Sequence, residues 1–322
     1  MQQRFPEKRF GYGSARVRWV RHEAAGAAQV GQIVALALLL SSGLSLSTVS
    51  ARVVTDQTGR RVDLPDHPRR LLSIAPSVTE TLYELGLGGR LVGDTDYCDY
   101  PAQAKLLPHV GALLNPSLEK IVALKPDLVL GTDEANRRET ADQLEHLGIP
   151  LYGVTAHTVD GAIQSLKDLG HVLDWEQPTQ KLVVSLQARV AAVDRQVQGR
   201  PRPKVLFVVW YRPLITAGSQ TFISNVISRA GGVSISDDLK GEWPHMGLEE
   251  VLNRAPDVIL FPRTEAFAPG LEDFQKLPGW RDLAAVKSHH LYFVSETIMR
   301  PSPRLIDSLE ELARILQPEG DR

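Results

Sequence analysis

From residue 70 onward the chain alternates short apolar runs with stretches in which apolar positions recur every three or four residues, the pattern of strands and amphipathic helices in an α/β protein. Apolar runs at 71–75, 91–93, 128–131 and 151–154 predict strands, with helical patterns over 76–86, 117–124 and 138–147 between them. That set makes one complete lobe with a mostly parallel sheet. Ahead of it, 53–62 centred on Gln57-Thr58-Gly59 predicts a hairpin. Two long helical patterns follow, at 159–174 and 179–198, with almost no strand signal between them. In the second, Leu182, Leu186, Val190, Val193 and Val197 form one apolar stripe on a helix of about 20 residues, roughly 30 Å long and able to cross a whole molecule. Alternation then resumes, with strands at 205–210, 258–261 and 291–294 and helices at 222–230, 248–254 and 303–316.

An internal repeat supports two similar halves. Leu118-Glu119-Lys120-Ile121-Val122 leads to Lys125-Pro126-Asp127-Leu128-Val129-Leu130, and 130 positions later Leu248-Glu249-Glu250-Val251-Leu252 leads to Ala255-Pro256-Asp257-Val258-Ile259-Leu260. Each half carries the same helix, Pro-Asp turn and buried strand, as two related modules around a shared site would. The expected organisation is a leading segment 1–51, an N-terminal α/β lobe with its hairpin over 52–174, a linker helix over 175–200, and a C-terminal α/β lobe over 201–322.

Composition narrows the class. The 322 residues are 43% hydrophobic and 23% charged, the balance of a globular protein. The formal charge of −2 conceals an asymmetry: residues 1–51 hold 6 Lys/Arg and 2 Asp/Glu, and the remainder holds 30 against 36. Such an acidic body is a poor match for nucleic acid. Arg16, Arg18 and Arg21 precede an apolar run over 33–46 that ends in small residues through Val49-Ser50-Ala51, which predicts a secretory signal peptide. The run, about 14 residues, falls short of the ~20 a spanning helix needs. No cysteine ends it, so no lipid anchor is expected there.

Enzymatic devices are missing from the pattern. There is no G-x-G-x-x-G, no phosphate loop, no nucleophile elbow and no H-E-x-x-H. The single cysteine, Cys98, supports neither a disulfide framework nor a Cys-based zinc site, and the nine histidines are scattered. No catalytic residue, resident cofactor or protein-held metal is expected. Aromatic residues stand instead where strands run into helices: Tyr97 and Tyr100 after the second strand, Trp210 and Tyr211 at the end of the first strand of the second half, and Trp243-Pro244-His245 before the repeated helix. Loops at that end of an α/β sheet present ligand sites, and large flat side chains suit a large flat ligand.

Taken together, Ser73-Ile74-Ala75-Pro76-Ser77-Val78-Thr79-Glu80, Tyr97-Cys98-Asp99-Tyr100-Pro101, Asn115-Pro116-Ser117-Leu118-Glu119-Lys120-Ile121, Lys125-Pro126-Asp127, Thr216-Ala217-Gly218, Trp243-Pro244 and Ser302-Pro303-Arg304 resemble the class III periplasmic binding proteins, most closely their cobalamin-binding branch. The resemblance covers roughly residues 70 to 316. It implies two α/β lobes joined by one long helix, a ligand held between them, a periplasmic location, a monomer, and delivery to the permease of an ABC importer. It places Tyr97 and Trp243 flanking a corrin ring, with contacts around Trp210, Tyr211 and Glu296. It gives Glu119 and Glu249 to permease docking; as plain helix-start carboxylates they would instead simply favour the helix dipole. Leu113 stands where the best-known cobalamin receptor has a tryptophan, and His245 where it has a glutamine, from which an imidazole would reach a corrinoid cobalt. On the same fold a ferric siderophore or haem is the alternative ligand, with Arg212 and Arg300 as partners for its charge; an exported enzyme is the remaining one.

Overall fold

The structure is a computed structural model that describes residues 51–133, 135–263 and 270–318. Apart from Ala51, the segment read as a signal peptide lies outside the described residues. Among those described, no helix is long and apolar enough to cross a membrane.

The N-terminal hairpin pairs β1 (Ala51–Thr55) with β2 (Arg61–Pro65), Val54 opposite Val62. Its turn is organised by Asp56, whose buried carboxylate accepts from the Thr58 and Arg60 amides at 3.0 and 2.8 Å, from the Arg60 guanidinium at 2.7 Å, and from the Gly153 amide at 3.1 Å. Burial opposes ionisation of Asp56, but these donors outweigh it and hold the carboxyl below its usual range. The hairpin is thereby tied to the first lobe.

That lobe is a four-stranded parallel sheet in the order β4 (Leu91–Gly93), β3 (Leu71–Ser73), β5 (Leu128–Thr132), β6 (Leu151–Val154). Its helices are α1 (Pro76–Glu84), α2 (Leu118–Leu124), α3 (Arg138–His146) and α4 (Val159–Val172). One long helix, α5 (Glu176–Val197), then leads to the second sheet, in the order β11 (Leu291–Ser295), β10 (Val258–Arg263), β7 (Lys204–Tyr211), β8 (Leu214–Thr216), with β9 (Val233–Ser234) also on β7. All pairs there are parallel except β7 with β8. The second lobe adds α6 (Phe222–Arg229), α7 (Leu248–Arg254), α8 (Leu271–Lys276), α9 (Ala284–Lys287) and α10 (Leu305–Leu316). The α/β class with mostly parallel sheets is as expected; β8, β9, α8 and α9, of two to six residues each, are not among the elements the sequence pattern predicts.

The repeat has a physical basis. Helices α2 and α7 both end in a left-handed residue, Lys125 at φ 48° and Ala255 at φ 48°, ahead of Pro and Asp. Asp127 accepts from the Arg69 and Arg70 amides at 2.8 and 2.9 Å, and Asp257 from the Lys204 amide at 2.7 Å, so each aspartate fixes the start of the neighbouring strand. The cation at that strand start reaches back to the helix's last carbonyls: Arg70 to Leu124 and Lys125, Lys204 to Arg254.

Strand residues alternate between two sides, as a period of two requires. Leu128, Leu130, Val205, Phe207, Val258 and Leu260 face a core that also holds Val183, Leu186, Val190 and Val193 of α5. Val129 belongs to an outer cluster of the first lobe, and Leu206, Val208, Ile259 and Phe261 to one of the second. The inner core is continuous through both lobes.

Candidate ligand-binding site between the lobes

In a parallel sheet the residues that follow the strands collect along one edge, where ligands bind. In the first lobe that edge carries the 94–101 segment after β4. Backbone bonds pin it: Asp94 N to Pro108 O at 3.1 Å, Val110 N to Asp94 O at 2.7 Å and Asp96 N to Gly111 O at 3.1 Å. Cys98 is buried, its sulfur against the hydroxyls of Thr79 and Thr95 at 3.1 and 3.3 Å. With Cys98 turned inward, Tyr97 projects outward and is 55% exposed. Leu113 is half-buried, and its carbonyl accepts from Asn136 Nδ2 at 3.0 Å; the same amide group holds Ile74 O at 2.9 Å.

In the second lobe, Trp210 and Tyr211 end β7 and alternate. Trp210 is exposed, its indole N–H donating to Arg212 O at 2.7 Å. Tyr211 turns onto Phe274, ring centroids 5.9 Å apart at 74°, with the Arg212 guanidinium 5.8 Å from its ring. Residues 242–246 run beside β8, through Gly218 N to Glu242 O at 2.8 Å, Thr216 N to Pro244 O at 3.1 Å and Met246 N to Leu214 O at 3.1 Å. Trp210 is opposite Ile215, which is opposite His245, so Trp210 and His245 share a face and Trp243 lies two residues along it. Both Trp243 and His245 are exposed. Sequence spacing alone does not put Trp210 beside His245, since the contact passes through β8.

The two edges meet through Arg300, in the segment after β11. Its Nη1 donates to Glu80 Oε1 at 2.8 Å and Asp99 Oδ1 at 2.7 Å, and its Nη2 lies 3.4 Å from Asp99 Oδ2 and 3.5 Å from Glu296 Oε1. Ser302 Oγ donates to Glu80 Oε2 at 2.7 Å, and Arg304 Nη1 stands 3.2 Å from Glu80 Oε1 with its guanidinium carbon 3.5 Å from the centre of the Tyr100 ring. Glu80, at 1% exposure, is therefore a buried carboxylate satisfied wholly from the opposite lobe. Burial works against a charge on Asp99, but hydrogen bonds and charge from Arg300 outweigh it and hold the carboxyl below its usual range. Burial likewise disfavours the Arg300 cation, and Asp99 and Glu80 more than restore it. In the sequence Glu80, Asp99, Ser302 and Arg304 stand only as members of longer motifs, with nothing to mark them individually as site residues. A glutamate in the middle of the otherwise uncharged stretch 76–83 is the available signal, though its partner lies 220 residues away.

Glu119 and Glu249 sit apart from these contacts, exposed in the first turns of α2 and α7. Among the described residues no three His, Cys, Asp or Glu side chains converge as a metal site would require.

Residues 71–297 match the family model described as periplasmic binding protein. The chain belongs to the periplasmic binding protein family. With two α/β lobes and one long helix, this periplasmic binding protein is of the helical-backbone class and fits the cobalamin-binding branch. It is 31% identical over 246 residues to the vitamin B12-binding protein of Yersinia pestis (strain Pestoides F), covering 76% of this chain and 85% of that one. Among solved structures it is similar to the periplasmic vitamin B12-binding protein BtuF of Vibrio cholerae, with a TM-score of 0.70 at 28% identity, covering 78% of this chain and 97% of that one. It is as similar in fold to the apo form of the periplasmic haem-binding protein RhuT of Roseiflexus sp. RS-1, with a TM-score of 0.70 at 27% identity over 78% and 98% of the two chains.

Proposed function

We propose that this periplasmic binding protein captures cobalamin or a related corrinoid between its two lobes and delivers it to an ABC importer. The observation that carries the reading is the exposure of Tyr97 on one ligand-presenting edge and of Trp210 and Trp243 on the other. Exposed rings recover hydrophobic free energy, at about 25 cal/mol per Å² of apolar surface, only when something flat covers them. The relatives named for vitamin B12 supply a ligand of that shape.

In this reading residues 52–174 and 201–322 are the lobes and 175–200 the linker, with the protein a monomer exported by residues 1–51. Tyr97, Leu113, Trp210, Tyr211, Trp243, His245 and Glu296 contact the ligand, and Arg300 borders it. Leu113 offers an aliphatic surface. Glu119 and Glu249, on repeated helices, dock arginines of the permease. His245, as the exposed imidazole on the Trp210 face, approaches the corrinoid cobalt. The role is binding and not catalysis.

The haem-binding relative favours a second reading, the same fold around haem. Calorimetric titration with cyanocobalamin and with haem separates the two. One-to-one binding of cyanocobalamin at micromolar or tighter affinity supports the first; haem binding alone supports the second.

A further inference from the structure

The ion network between the lobes bears on which ligands the site accepts. Two guanidiniums, Arg300 and Arg304, stand on the second lobe's edge, and three carboxylates, Glu80, Asp99 and Glu296, surround them. Arg300 is only 18% exposed, and Arg304 also covers the Tyr100 ring. Neither cation is left for an incoming anion, and one carboxylate is in excess. Arg212, on the same lobe two residues beyond Trp210, is exposed and lies 5.8 Å from the Tyr211 ring.

We propose that the Arg300–Glu80–Asp99 network makes the site selective by charge, accepting corrinoids whose peripheral groups are uncharged amides and rejecting those that carry carboxylates. The inference rests on the corrinoid reading and names the subclass of ligand. A carboxylate seated beside the network would have to displace Asp99 or Glu80 from Arg300 or lie against them uncompensated. In a partly dehydrated site, either course costs affinity. An amide meets the same surface without charge repulsion and can donate to Asp99 or Glu296. The arginines thus hold the lobes' edges together and offer nothing to an acidic ligand.

The test compares cyanocobalamin with dicyanocobyrinic acid, whose peripheral side chains end in carboxylates, on the purified protein by calorimetry at low and high salt. The wild-type protein is expected to bind cyanocobalamin at least about tenfold more tightly, with the ratio shrinking as salt screens the repulsion. Asp99→Asn removes the excess carboxylate without changing its shape and leaves Glu80 and Glu296 against Arg300 and Arg304; it is expected to narrow the ratio, mainly by improving the acid. Glu80→Gln is the second variant, with near-ultraviolet circular dichroism as the check on its fold. Equal affinities in the wild type, or a ratio unmoved by Asp99→Asn, would overturn charge selection while leaving corrinoid binding in place. No binding of cyanocobalamin to the wild type would remove the corrinoid reading, and this inference with it.

Discussion

Asp94 is fully buried at the end of β4, where His109 Nδ1 meets its Oδ1 at 2.5 Å and Oδ2 has no hydrogen-bond partner. Burial pushes its pKa up to about 6; the hydrogen bond and charge of His109 pull the other way, and Asp96 adds to the rise. An acid whose folded pKa is raised keeps its proton in the folded state after the unfolded chain has lost it. Its contribution therefore falls as pH rises from about 4 to about 6. Asp94→Asn lacks that loss, and its stability relative to the parent is expected to rise by on the order of 3 kcal/mol between pH 4 and pH 7 in urea titrations. A constant difference would mean that folding does not raise the Asp94 pKa. Trp243 is the clearest single-residue test of the ligand face, because it is 42% exposed and its removal costs little packing. Trp243→Ala is expected to weaken cyanocobalamin binding about tenfold or more with melting temperature nearly unchanged. The aromatic candidates could be read from sequence because each follows a strand. Tyr211 could not be told from Trp210 that way, since only the phase of β7 turns one inward and the other outward. Arg300 was legible as a cation but not as a cation already taken, because its partners Glu80 and Asp99 come from the other lobe.

Most helices and strands announce themselves through period, and the repeat locates α2 and α7. The αL residue ending each helix was not legible, since Lys125 and Ala255 are poor residues for that conformation, where glycine is usual. Ala255→Gly relieves the strained Cβ and is expected to stabilise the protein by up to about 1 kcal/mol in chemical denaturation. A loss of stability would show that the entropy glycine adds to the unfolded chain outweighs that relief. The same helices carry the docking proposal. Glu119 and Glu249 make no ion pair among the described residues, whereas the neighbouring Glu250 is held by Arg254 at 2.6 Å. The double variant Glu119→Ala, Glu249→Ala is expected to bind ligand as the parent does and to lose permease-dependent uptake by tenfold or more. Unchanged uptake would return both residues to the role of dipole-favouring helix starts.

At the scale of the molecule, the lobes are joined by more than a tether. The apolar stripe of α5 lies in a core shared by both, and charged staples hold the helix from outside it. Arg189 grips Glu310 of α10 at 2.8 Å through both Nε and Nη2, and Arg229 of α6 grips Asp194 at 3.0 and 2.9 Å. With the Arg300 contacts closing the facing edges, the structure resists a wide hinge, and ligand capture should proceed with small lobe movement. The stripe predicted a helix long enough to join two lobes; the staples and the contact between the edges arise only when distant segments pack, and no periodicity reports them. The most direct test of the account is equilibrium titration of the purified protein with cyanocobalamin, followed by quenching of tryptophan fluorescence. The account predicts saturable one-to-one quenching at micromolar or tighter affinity, with haem unable to compete. Absence of saturation, or displacement of cyanocobalamin by haem at equal concentration, would contradict it.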